Sequence, residues 1–247
     1  MPNWCYNSIT ITGPREDVGR LLDHITVRDE HGNHAVDNYG GKMYDFSAVY
    51  PCPDELHITA TFFSSDETSP EAVELKQKYE ANIAKHGYPH WYEWCNAKWG
   101  TKWPPNVSNL IYQPLHDDKA SIEAHAETAW SPASGLFARI SEVYPTLSIV
   151  VSYDEESNAY IGAEAYRDGN KYERSYSLPP NPAEGMPNEW ATKINDLTEK
   201  LDQSSVGSDE WDEISQELSD VYSDLRWECH KIVVAEVGLD GSDSSLV

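Results

Sequence analysis

Three groups of side chains have residue types that could do chemistry. His86, His90 and Cys95 could ligate a metal, but their intervals of four and five fit no common zinc pattern, and no carboxylate is marked as a catalytic partner. His116, Asp117 and Asp118 could serve a metal-assisted phosphodiesterase. Adjacent residues on an extended chain point to opposite sides, however, and no second ligand cluster follows, so a loop is the simpler reading. Lys98 and Lys102 bracket Trp99, a pairing that could stack on a base and contact its phosphate. No glycine-rich phosphate loop, GxSxG elbow or HExxH helix occurs. The side chains therefore point to a protein that is not an enzyme and needs neither metal nor cofactor.

Charge narrows the partners. Against 18 basic residues stand 42 acidic ones, a formal net charge of −24. Such a field repels nucleic-acid phosphate and anionic lipid and attracts cations or basic proteins, including proteins that themselves hold nucleic acid. Solubility alone is the other reading of the same number. From residue 183 onward there are 16 acidic and 4 basic residues, so half of the excess lies in the last quarter of the chain. Asp209, Glu210, Asp212, Glu213, Glu217, Asp220 and Asp224 are the candidate contacts for a basic partner. A second candidate set is Trp91, Trp94, Trp99 and Trp103, which with Tyr92 fall within thirteen residues. Indoles are common anchors at interfaces, but the same rings could roof a sheet with each N–H bonded to a carbonyl. Trp4 and Trp130 are expected in the core.

The elements that must position these residues follow from periodicity. Residues 6–12 alternate through Ile9 and Ile11 and stop at Gly13-Pro14, a strand and its turn. Val18, Leu21, Leu22 and Ile25 then recur at helical spacing, and 43–49 reads as a short strand broken by Pro51-Cys52-Pro53. A helix is expected over 70–86, with Ser69 as N-cap and Gly87 as its end. The tryptophan-rich stretch 88–105 shows no clear period. Strand, helix and strand follow over 120–128, 133–144 and 147–153, and 160–166 returns as a hairpin. Two amphipathic helices then form a hairpin, through Trp190, Ile194, Leu197 and Leu201 and through Ile214, Leu218, Val221 and Leu225. The last six residues, 242–247, read as a loose tail.

In order, these elements give an α+β fold: a ferredoxin-like split βαβ antiparallel sheet with a large aromatic-rich insertion and a C-terminal helical hairpin. The division is 1–178 for the ferredoxin-like domain, with the insertion at about 52–118, and 183–236 for the acidic hairpin. Cys5, Cys52, Cys95 and Cys229 are too dispersed for a zinc ribbon, an iron–sulfur cluster or a disulfide framework, and are expected as buried free thiols. No apolar run is long enough to span a bilayer and no secretory leader is present, so the cytoplasm of a host cell is the expected location.

Five motifs carry a resemblance. The opening Met1–Asn7, then Tyr50-Pro51-Cys52-Pro53-Asp54-Glu55-Leu56, the segment from Trp91-Tyr92 to Trp103, Ala129-Trp130-Ser131-Pro132-Ala133, and Tyr144-Pro145 together resemble the YubB/Api-type family. These are ferredoxin-like proteins of bacteriophages and conjugative plasmids, and the match covers roughly residues 1–169. The resemblance implies a mobile-element product, in a genetic setting that often holds proteins opposing host defences, and it implies no reaction. The acidic helices lie outside it. Three functions follow as expectations: a non-enzymatic inhibitor that binds a host defence protein by its nucleic-acid-binding surface; a small-molecule or peptide-binding module built on the tryptophan-rich segment; or an enzyme acting on nucleotides through an unmarked site.

Overall fold

A computed structural model of the chain describes residues 3–61, 69–155, 160–178 and 186–236. The break at 179–182 and the tail at 242–247 lie outside the described residues.

Strand β1 (Trp4–Pro14) is followed by helix α1 (Arg15–Ile25), which buries Val18, Leu21 and Ile25. The expected strand at 43–49 is instead a 3-10 turn, Phe46–Val49, capped by the Asp45 carboxylate, which accepts the Ser47 N–H. Phe46 and Val49, three apart, share one face of that turn and both reach the core, a spacing that an extended strand would split. Helix α2 (Pro70–His86) begins where Ser69 Oγ accepts the Ala72 N–H and ends at Gly87, whose φ of 80° is the left-handed conformation of a C-cap. Helix α3 (Trp91–Lys98) lies within the tryptophan-rich stretch.

Strand β2 (Asn106–Pro114) pairs with β3 (Lys119–Ala129), so the sheet resumes inside the stretch expected to be insertion. The excursion from the sheet thus runs from the end of α1 to 105, not over 52–118. Helix α4 (Ser134–Val143), β4 (Ser148–Glu155), β5 (Tyr160–Arg167) and β6 (Asn170–Ser177) complete the sheet, and α5 (Asn188–Gln203) and α6 (Asp209–Glu236) form the hairpin. The strand order is β2-β3-β1-β4-β5-β6, antiparallel throughout. The first four strands have the ferredoxin-like order, and β5 and β6 extend the sheet beyond β4.

The sheet is covered on both faces, and the alternation along β4 shows how. Ile149 and Val151 belong to the core that Ile9, Ile11 and Ile122 share with α1 and α4. Val150, one residue out of phase, belongs to a second core with Ile161, Ala163 and Ala165 under α5 and α6. The hairpin is therefore packed on the sheet. Helix α6 crosses β4, β5 and β6 with Val221, Leu225, Cys229 and Val233 inward, and it is pinned by the Arg226–Asp154 ion pair and by Ser152 Oγ against His230 Nδ1 at 2.9 Å. It stops short of β1 and β3, where Tyr6 stays exposed.

Candidate functional site

The aromatic segment is held by backbone contacts that only certain residues permit. Gly100 turns the chain at φ 85°. Thr101 Oγ1 donates to the Ala129 carbonyl at 2.9 Å and accepts the Ala129 N–H at 3.1 Å. Ser131 Oγ donates to the Gly100 carbonyl, and the Gly135 N–H to the Trp99 carbonyl at 3.0 Å. A Cβ on Gly135 would stand 2.2 Å from the Lys98 carbonyl oxygen, so α4 can start against the end of α3 only without a side chain there.

Within this frame the four tryptophans divide. Trp94 and Trp99 are each 4% exposed and meet edge to face at 5.4 Å. Trp94 also packs on Tyr50, and Trp99 Nε1 donates to the Tyr50 carbonyl at 2.8 Å. As candidate partner contacts these two are corrected: they are core rings, and Trp99 satisfies its indole N–H inside the protein. Trp91 is half-buried and Trp103 is 36% exposed. The reverse correction applies to Trp130, expected in the core: it is 45% exposed and holds a φ of 72° where β3 ends. Trp4 is half-buried, with its ring 6.4 Å from that of Trp103.

Trp91, Trp99, Trp103, Cys95, His57, Ile58, Lys102 and Pro104 line an open surface cavity of about 340 Å³. Burial pushes the Cys95 thiol up to about 12, and the thiol of Cys52 lies against it, so Cys95 meets this cavity as a neutral thiol rather than a nucleophile. All four cysteines are free and buried.

The other chemical candidates are scattered. His86 faces Glu55 at 3.5 Å, His90 packs against the Tyr79 ring, and Cys95 meets Cys52, so the three do not converge. Among the described residues no group of three His, Cys, Asp or Glu could hold a metal ion. Asp117 and Asp118 have φ of 54° and 56° and form the tight turn between β2 and β3, with the Lys119 N–H returning to the His116 carbonyl.

The acidic candidates converge best. All seven are exposed on α6. Asp209, Glu213, Glu217, Asp220 and Asp224 follow one another at spacings of four, four, three and four, which a helical turn places within an arc of about 80°. Glu210 flanks this line and Asp212 falls to its other side. The buried line of the same helix, through Val221, Leu225 and Cys229, docks on the sheet and fixes the acidic edge outward. Among the described residues Lys193, 3.5 Å from Glu217, is the cation that pairs with the line. Beside it a crevice of about 410 Å³ opens between α6 and the sheet, lined by Asp154, Glu155, Asp220, Tyr222 and Arg226 among others.

Part of the sheet resembles a known domain. Residues 98–180 match the model of the ferredoxin-like domain in Api92-like protein. That match begins at the end of α3, takes in β2 to β6 and stops before α5, so the acidic hairpin lies beyond the Api92-like region. A crystal structure of a protein api92 from Yersinia pseudotuberculosis aligns over 73% of this chain and 100% of its own, at 13% identity and a TM-score of 0.35. No curated protein matches the sequence.

Proposed function

We propose that this is a non-enzymatic binding protein of a mobile genetic element, which uses the acidic edge of α6 to occupy the basic, nucleic-acid-binding surface of a host defence protein. The observation that carries the reading is the line Asp209, Glu213, Glu217, Asp220 and Asp224, held outward on a helix whose opposite side is buried. Carboxylates about 5–6 Å apart on a rigid rod present regularly spaced negative charge, as a phosphate backbone does, without the entropy cost of ordering a flexible chain. The acidic crevice beside Asp220 offers a recess for a lysine or arginine of such a partner. The mobile-element setting rests on the resemblance of the opening, central and Ala129–Ala133 motifs.

Capture from bacterial lysate on the immobilised protein, at low and at high salt, tests this. Screening shortens the reach of exposed charges from about 10 Å at 0.1 M salt to about 3 Å at 1 M. The expected result is a small set of nucleic-acid-binding proteins, released by salt and by excess duplex DNA. Capture that ignores both competitors would overturn the reading.

A further inference from the structure

Away from α6, the cavity of about 340 Å³ at the aromatic segment has features that packing alone does not require. Trp91 and Trp103 supply the aromatic wall, Trp99 only borders it as a core ring, Ile58 adds apolar surface, and the one lysine among its lining residues, Lys102, places its ammonium 4.2 Å from the Trp103 centroid and 5.6 Å from that of Tyr92. In a chain with 42 carboxylates, neither Lys102 nor Lys98, which lies over the Tyr88 ring, pairs with one among the described residues. A cation kept on a ring face, away from the abundant acids, remains available to an anion brought from outside.

We infer that this cavity binds a small planar aromatic anion, with the chemistry of a mononucleotide: the ring enters among the indoles and its charged group meets Lys102. Its volume lies at the small end of ligand pockets, which span about 300–1,000 Å³, so one ring system fills it. Indole walls favour flat rings, by stacking or by edge contact. A single phosphate group, carrying about −1.5 to −2 at pH 7, can meet the one ammonium and leave its remaining oxygens in water, whereas a long polyanion would face the −24 field of the whole protein.

Isothermal titration of the full-length protein with AMP tests the inference, with adenosine and ribose 5-phosphate as probes lacking the charge and the ring. AMP is expected to bind saturably and more tightly than either. Trp103→Ala, at an exposed position, should weaken AMP and adenosine alike by about tenfold. Lys102→Ala should weaken AMP by about fivefold and leave adenosine unchanged. Circular dichroism confirms that each variant keeps its fold. No saturable heat up to about 5 mM AMP overturns the inference, as does equal binding of ribose 5-phosphate, or a Lys102→Ala effect of the same size on AMP and on adenosine. The acidic line on α6 is not involved: lysine substitutions there should leave AMP affinity within about twofold, so this site and the α6 interface stand or fall separately.

Discussion

At the scale of single residues, the motifs that give this sequence its character are packing devices. Tyr50 offers its ring to Trp94 and its carbonyl to Trp99; Thr101 and Ser131 tie the aromatic segment to the end of β3; Tyr144 Oη bonds His24 Nδ1 at 2.9 Å. The Tyr50, Trp99–Thr101 and Ala129–Ser131 motifs thus meet one another in the fold, which explains why they read together as a signature. Gly135 is the tightest of these joints. Gly135→Ala must push α4 off the Lys98 carbonyl, and such overpacking costs about 1–3 kcal/mol. Urea unfolding should show that loss, with the midpoint lowered and the slope unchanged; a variant as stable as the parent would mean that the two helix ends separate freely.

At the scale of elements, α6 docks with a histidine whose charged form burial disfavours. Burial holds His230 below its ordinary value of 6.5. The unfolded chain takes up that proton first as pH falls, so the stability from an uncharged His230 is present above about pH 6.5 and is lost below it. The thermal midpoint should therefore drop between pH 7 and pH 5. His230→Asn, which keeps a polar partner for Ser152, should flatten that drop; an identical pH profile in the variant would rule out His230 as its source. The same elements show how far the sequence was legible. Strands β1, β3 and β4 and helices α1, α2 and α4 follow from period, proline and glycine, because each has one buried face and a clear stop. Strand β2 was hidden because it is an edge strand with little buried surface, and because Asp117-Asp118 turns the chain without the glycine that usually marks such a hairpin. Strand β6 carries four charged or amide side chains and one buried residue, yet Asp168-Gly169 ahead of it, with φ of 49° and 72°, is the dipeptide that could have revealed it. The second core was only half visible: Ile149 and Val151 announce one buried face, and Val150 between them marks the other.

At the scale of the whole molecule, charge and shape are divided between two regions. The aromatic segment sits on the α1 and α4 side of the sheet, and the carboxylate line sits on the hairpin that covers the other side. The seven acidic residues were legible as candidate contacts on an amphipathic helix, and the line that five of them form follows once the helix is in place. Which side of the line faced solvent was not, because an amphipathic hairpin can pack on a core or project from it. In the tryptophan segment the ring types were legible and their burial was not: with four indoles in thirteen residues, no period separates the buried Trp94 and Trp99 from the half-buried Trp91 and the exposed Trp103.

The most direct measurement compares capture by two multiple variants with that of the parent, at low salt and equal loading. Glu213→Lys, Glu217→Lys, Asp220→Lys and Asp224→Lys together reverse the line without touching its buried face, while Trp91→Ala with Trp103→Ala alters the aromatic surface and leaves the charge alone. The account predicts that the lysine variant folds, by circular dichroism, and loses the salt-sensitive nucleic-acid-binding proteins, and that the aromatic variant retains them. Retention by the lysine variant with loss by the aromatic variant would contradict it and move the interface to the tryptophans.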